Sequence, residues 1–304
     1  MPQAELDIIA PYNFDLSMRF AVACRFESNS NGSHRALQRL LLINGIPVLA
    51  EITVDRDVEH PQASVSWSFP GGGKVARADV LRACRRMLSA DLDLSPFYDL
   101  AEDSKPVIPI VREFRGLKPI LTPTVFESAA LAIMSQQVNL GFAHTLKMRV
   151  IDEYGEKISI DGREHTLFPS PRTLSRAKIT DLKRLRFSTR KAEYLTDLAR
   201  AIENGHHDLE SLSDLSYEDA LGRLVSIRGF GIWSANYILM RGAGHLNCLP
   251  LGDSGLHRAV QQVYELKSIP DNDRVEKLAR KFAPYRSLYT LYLWYALIRE
   301  LEEV

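Results

Sequence analysis

The feature that most constrains the fold is a change of hydrophobic period near Lys105. Before it, apolar residues alternate or run in short blocks, as in strands. After it they recur at helical spacing. Ala36 to Ile43 and Ile46 to Val54 are strand-like runs around Asn44-Gly45, a dipeptide suited to the positive φ angles of a two-residue hairpin. Pro47 has no N–H to give a ladder, so it marks an edge strand or a strand start. Ala63, Val65, Trp67 and Phe69 alternate with polar residues and predict a third strand with one buried face. Gly71-Gly72-Gly73 predicts a turn; the lysine after it lacks the spacing of a phosphate-binding loop. Ala76 to Ala90 reads as a helix with Arg85 and Arg86 exposed.

From Lys105 onward the pattern predicts helices only. Pro106, Pro109, Pro119 and Pro123 punctuate a connecting stretch. Thr124 and Glu127 then form a capping box for a helix through Phe126, Ala130 and Ile133. The polar string Gln136-Gln137-Val138-Asn139 interrupts it before a second helix that runs to about Tyr154. Further helices are expected over Ile179 to Leu185, Arg190 to Ile202, Tyr217 to Val225, Ile232 to Arg241, Gly255 to Tyr264, Asp273 to Phe282 and Ser287 to Leu301. The fold class is therefore α+β. A small N-terminal domain of antiparallel sheet plus helix, residues 1–104, precedes an all-α core, residues 105–304.

With 304 residues, 45% hydrophobic and 25% charged, the chain has the composition of a globular protein. Disordered, collagen-like and disulfide-scaffold classes are excluded. No apolar run approaches the roughly 18 residues that span a bilayer, and Met1 to Ala10 lacks a signal-peptide pattern, so no membrane partner is expected. Cys24, Cys84 and Cys248 are far apart, too few for an iron–sulfur cluster, and read as small buried side chains in a reducing compartment. His206-His207 has no further ligand at metal-binding spacing. The 38 basic and 38 acidic residues cancel, but not locally. Residues 1–111 carry 11 basic and 14 acidic side chains, residues 112–304 carry 27 and 24, and Arg172 to Lys191 holds eight basic residues against Asp181 alone. Such a strip can steer a polyanion.

The most informative string is Leu224-Val-Ser-Ile-Arg-Gly-Phe-Gly-Ile-Trp-Ser-Ala-Asn-Tyr237. Gly229 and Gly231 bracket one apolar residue between two helices, which allows a sharp reversal and leaves backbone amides uncovered for a phosphate. Contact of that kind grips the backbone of a nucleic acid without reading its sequence. An ordinary tight connection between helices is the alternative. Trp233 and Tyr237, four apart, share a helix face.

Together with Leu249-Pro250, Asp253, Gly255-Leu256 and the C-terminal run Pro284-Tyr-Arg-Ser287 to Leu291-Tyr-Leu-Trp294-Tyr295, this string resembles the helix-hairpin-helix DNA glycosylase superfamily. The alkylation-repair type, DNA-3-methyladenine glycosylase II, is the most similar. Pro11-Tyr12, Phe20 and the Asn44-Gly45 hairpin match its N-terminal domain. The resemblance implies a glycosylase core of two helical subdomains, 125–245 with the hairpin and 105–124 plus 246–304. It implies Asp253 as the catalytic carboxylate, although Asp253 is also a good N-cap for the following helix and can do both. It implies a base pocket of Trp233, Tyr237, Trp294, Tyr295 and Phe20, with hydrophobic core as the alternative for each. It implies DNA contacts at Gln136, Gln137, Gly229, Gly231 and Ser234, with Gln137 as the wedge that fills the gap left by a flipped base. The backbone carbonyls of Val225, Ile227 and Gly229 would hold a structural Na⁺ or K⁺, and no cofactor would serve catalysis.

The strand-cleaving branch of the superfamily carries a lysine two residues past the second hairpin glycine, where this chain has Trp233. The expectation is a monofunctional glycosylase that acts as a monomer on damaged double-stranded DNA, flipping out alkylated purines of the 3-methyladenine type and hydrolysing the N-glycosidic bond in base excision repair. It would work in the nucleoid-containing cytoplasm of a bacterium or the nucleus of a eukaryote. Ser254 and Gly255 stand where that type often has bulkier residues, which implies a more open pocket. The alternatives are an oxidised-purine glycosylase/lyase and a non-catalytic DNA-binding protein of the same fold.

Overall fold

The computed structural model describes residues 1–24, 36–160 and 162–302. Its N-terminal layer contains β1 (Gln3–Asp7), α1 (Phe14–Ala23), β2 (Ala36–Ile43), β3 (Ile46–Val54), β4 (Gln62–Ser68) and α2 (Arg77–Met87). The four strands form one antiparallel sheet in the order β1-β4-β3-β2. Asn44 and Gly45 take φ angles of 51° and 76°, so the hairpin closes with Ile43 opposite Ile46. Pro47 lies at the start of β3, before β4 joins that strand at Leu49. The strand-start reading holds; β3 itself is interior. Sheet residues Val48, Ala50, Ile52 and Val65 pack against Val80, Cys84 and Met87 of α2 and Met18 and Ala21 of α1.

The remainder contains α3 (Ser95–Glu102), α4 (Ile108–Glu113), α5 (Val125–Ser135), α6 (Leu140–Tyr154), the strands β5 (Lys157–Ile160) and β6 (Arg163–Thr166), then α7 (Pro171–Ser175), α8 (Ile179–Arg184), α9 (Thr189–Glu203), α10 (Tyr217–Val225), α11 (Ile232–Ile238), α12 (Ser254–Val263), α13 (Asn272–Ala279) and α14 (Arg286–Glu302). Helices dominate, but the β5–β6 hairpin corrects the expectation of helices only. Its strands are four residues each and mostly polar, too short to register as a periodic signal. Ile158 and Ile160 join Leu40, Leu49 and Leu167 in a small apolar patch. The large helical core also begins earlier than residue 105. Leu94, Phe97 and Ala101 are fully buried in it, and Phe20 reaches it from α1.

Two further expectations change. Arg85 and Arg86 are half-buried rather than exposed. Arg86 donates to the carbonyls of Thr122 at 2.9 Å and Pro123 at 3.2 Å, and also to Gly242, tying α2 to the linker and the end of α11. Carbonyls without a ladder partner draw in such a donor. The capping box at α5 is only half formed. Thr124 Oγ1 accepts the Glu127 amide at 3.1 Å, but the Glu127 carboxylate turns to Arg39 of β2 at 2.6 Å. Glu210 satisfies two other amides of the helix start, those of Val125 and Phe126, at 3.0 and 3.1 Å.

Candidate active site

Helix α11 runs into one π turn, Leu239–Ala243, and stops at Gly244 in the left-handed conformation, φ 78°. The loop that follows is held at several points. Asn236, an indifferent helix former in an otherwise apolar helix, is 1% exposed. Its Oδ1 accepts the Leu249 amide at 2.8 Å and the Tyr217 hydroxyl at 2.9 Å. Ser287 of α14 donates to the His245 carbonyl at 2.7 Å and accepts the Cys248 amide at 3.0 Å. His257 Nδ1 faces the Pro270 carbonyl at 2.7 Å, which leaves Nε2 to accept the Gly252 amide at 3.3 Å. The chain then turns through Gly252, φ 86°, into Asp253.

Asp253 is the N-cap of α12, with Oδ1 accepting the Leu256 amide at 2.8 Å. Its carboxylate has two further donors: Trp294 Nε1 meets Oδ1 at 3.2 Å, and Trp233 Nε1 meets Oδ2 at 3.0 Å. Both oxygens are thus fixed by indole N–H groups from different helices. Each indole is backed by another ring. Trp233 stacks on Tyr237, centroids 5.4 Å apart at 23°, and Trp294 stacks on Phe20, 6.4 Å apart at 15°. Tyr295 closes the rear, tilted against Phe20 and edge-on to Phe114 at 4.7 Å. Burial pushes the Tyr237 hydroxyl well above the usual phenol range, so it stays neutral. Gly255 leaves the room this needs: a Cβ there would lie 3.1 Å from Asp253 Oδ1 and 3.6 Å from Trp294 Nε1.

Asp253 and Trp233 line a cleft of about 850 Å³ with Gln136, Gln137, Val138, Asn139, Ser188, Arg190, Lys191, Tyr194 and Gly229. Gln137 is exposed at the tip of the loop between α5 and α6 and takes φ 54°, uncommon for a residue with a Cβ. Such local strain concentrates at working loops. Across the cleft, Gly229 takes φ 98° and a Cβ on it would fall 2.6 Å from the Tyr194 ring, so only glycine fits. Gly231 has nothing within 4 Å of a Cβ and is exposed, with its backbone open to an approaching molecule. Arg228 is held by Glu193 at 3.0 Å and Asp197 at 2.9 Å.

The residues singled out from sequence therefore fall in three groups. Asp253, Trp233, Gln136, Gln137 and Gly229 share the cleft, and Trp294 reaches Asp253 from the core. Tyr237, Tyr295 and Phe20 are 6%, 6% and 1% exposed and form the wall behind the two indoles. Ser234, 3% exposed, faces Gln136 rather than solvent, and the Gln136 amide faces the hairpin. The basic strip also changes. Arg172, Arg176, Lys178, Lys183, Arg184, Arg186 and Arg190 are exposed, whereas Lys191 is 9% exposed and donates to the Met134 carbonyl at 2.7 Å. Burial pulls its ammonium below the usual range. The sequence assigns no role to Asn236, Ser287 or Tyr194; Asn236, like Ser234, stands out only as a polar residue among the apolar ones of α11. Among the described residues no cluster of His, Cys, Asp and Glu could hold a metal ion. Cys24, Cys84 and Cys248 are buried, and among the described residues none is in a disulfide.

The chain is similar to known proteins. Residues 130–284 match the HhH-GPD superfamily of base excision DNA repair proteins, and the chain belongs to that superfamily. It is 28% identical to a DNA-3-methyladenine glycosylase of Bacillus subtilis over 89% of this chain and 88% of that one. Among solved structures, the 3-methyladenine DNA glycosylase of Archaeoglobus fulgidus superposes with a TM-score of 0.80 at 22% identity, covering 97% of both chains. The 8-oxoguanine glycosylase/lyase of Clostridium acetobutylicum, in complex with double-stranded DNA, gives 0.74 at 14% identity over 99% of both. At these identities the two structures establish the shared fold.

Proposed function

We propose that the chain is a monofunctional DNA glycosylase that flips alkylated purines of the 3-methyladenine type out of duplex DNA and hydrolyses their N-glycosidic bond. The observation that carries this reading is the Asp253 carboxylate, held on both oxygens by indole N–H groups at the floor of a cleft. As the C1′–N bond breaks, positive charge builds on the sugar in an oxocarbenium-like transition state. A fixed negative charge beside it lowers the barrier because it needs no reorganisation at that moment. A cationic alkylated base leaves as a neutral molecule and needs no proton from the protein. Water then adds to C1′ and gives its proton to Asp253 or to solvent. Trp233 offers a π face to an electron-poor base. The relative in Bacillus subtilis, matched over most of both chains, acts on 3-methyladenine by its name, which supports the same substrate class here.

Duplex DNA would lie across Gln137 and the hairpin glycines, steered by the seven exposed cations from Arg172 to Arg190. Gln137 would enter the gap left by the flipped base. The amines near Asp253 support a reaction without strand cleavage. Among the described residues the one lysine lining the cleft is Lys191, and its ammonium donates to the carbonyl of Met134 at the end of α5. The backbone carbonyls of Val225, Ile227 and Gly229 would hold a structural Na⁺ or K⁺ at the hairpin. The Gly229 carbonyl accepts Gln136 Nε2 at 2.7 Å and the Ile227 carbonyl accepts the Phe230 amide at 3.1 Å, and each keeps a second lone pair for a cation. The test is incubation with methylated duplex DNA. Free 3-methyladenine released with the strands intact until alkali is added supports the reading. Release of 8-oxoguanine with spontaneous strand breaks would replace it with the lyase alternative.

A further inference from the structure

Gln136 stands next to the wedge in sequence but does not point where the wedge points. Its Nε2 donates to the Gly229 carbonyl at 2.7 Å and to Ser234 Oγ at 3.1 Å, crossing more than 90 residues of chain to reach the hairpin. Two residues earlier, the last turn of α5 is tied in the same way: Lys191 of α9 donates to the Met134 carbonyl at 2.7 Å. The hairpin is in turn seated on α9. Gly229 lies flat on the Tyr194 ring, and Arg228 stacks over that ring at 5.2 Å while paired with Glu193 and Asp197. The wedge loop, α9 and the hairpin therefore meet in one hydrogen-bonded junction, from which the strained, exposed Gln137 projects.

We infer that Gln136 is a positioning residue that locks the wedge tip to the hairpin, so that gripping the DNA backbone and filling the vacated base position occur as one rigid event. The inference rests on the proposed glycosylase reading and assigns a task within it. Without the lock, Gln137 has to be ordered at the moment of flipping, and the strain in its backbone favours relaxation away from the productive position. Gln136 acts through Gln137, since its Nε2 donor is spent on Gly229 and Ser234.

Gln136→Met keeps the length and volume and removes the donor. The expected result with a methylated duplex under single-turnover conditions is a fall of at least about tenfold in the rate of base release, the size of one of the two hydrogen bonds lost. The half-saturating enzyme concentration should change less than twofold. Gln137→Ala should lower the rate similarly, and the double variant should be no slower than Gln137→Ala alone. Amide hydrogen exchange of the free protein gives a readout independent of activity: Gln136→Met should speed exchange at residues 136–139 and leave Ile232 to Ile238 protected. A double variant whose losses multiply would overturn the inference, as would unchanged exchange at residues 136–139. If wild-type protein releases no alkylated base, the glycosylase reading fails, whereas the exchange result still decides whether the lock exists.

Discussion

Replacing Gly229 by alanine would place a Cβ 2.6 Å from Cγ and 2.7 Å from Cδ2 of Tyr194, a rigid ring with Arg228 stacked on it. The residue also takes φ 98°, which costs a residue with a Cβ about 1–2 kcal/mol. Overpacking against a ring that cannot swing away adds about 1–3 kcal/mol. The total of about 3 kcal/mol corresponds to a fall of about 6 °C in Tm at roughly 2 °C per kcal/mol for a chain of this size. Gly231, two residues on, has φ −101° and nothing within 4 Å of a Cβ. Alanine there is a poorer N-cap than glycine by about 0.5 kcal/mol, so Tm should fall by only about 1 °C. Its methyl group would project where a phosphate has to approach, and affinity for duplex DNA should drop about tenfold. Calorimetry and fluorescence anisotropy on the two variants separate the effects. Equal Tm losses, or a Gly231→Ala variant that binds duplex DNA like wild type, would refute the assignment of one glycine to packing and the other to the ligand.

Other outcomes follow from the same geometry. Trp294→Phe preserves a ring to stack on Phe20 but removes the N–H on Asp253 Oδ1, so base release should slow about tenfold with the fold intact by circular dichroism. Lys118 is fully buried, with Nζ 2.6 Å from the Ile9 carbonyl and 5.4 Å from the Tyr12 ring centre, and burial pulls its ammonium down to about 8. Because its folded value lies below the unfolded one, the unfolded chain binds the extra proton between pH 8 and 10.5, and stability rises with pH through that window. Denaturant titrations should show wild type gaining up to about 3 kcal/mol over Lys118→Met from pH 8 to 10.5. A flat difference would contradict the burial of a charged amine.

What was legible in the sequence was local. Asn44-Gly45 specified its hairpin because two positive φ angles are a property of those residue types. The alternation from Gln62 to Ser68 specified a one-sided strand, and the four-residue spacing of Trp233 and Tyr237 placed them on one face, where they stack. The N-cap reading of Asp253 holds: Oδ1 caps α12, and the same atom accepts Trp294. The direction in which polar side chains turn was not legible. Gln136 reads as a DNA contact in a polar loop, Lys191 as one more cation of the basic strip and Arg86 as an exposed helix residue. Each is instead drawn inward by carbonyls that helix ends and turns leave without partners. Those carbonyls belong to residues distant in sequence, and a carbonyl leaves no trace in residue type. The short strands β1 and β5 were missed for a related reason: four or five residues carry too little period to separate from a loop.

The central claim is that the fixed charge of Asp253 drives base release. Its direct test is the single-turnover rate of 3-methyladenine release by Asp253→Asn at saturating enzyme. Asparagine keeps the shape and caps a helix as well as aspartate does, so the variant should fold and bind duplex DNA. Its rate should fall at least about 100-fold below wild type. A folded Asp253→Asn protein that releases the base at the wild-type rate would contradict the claim.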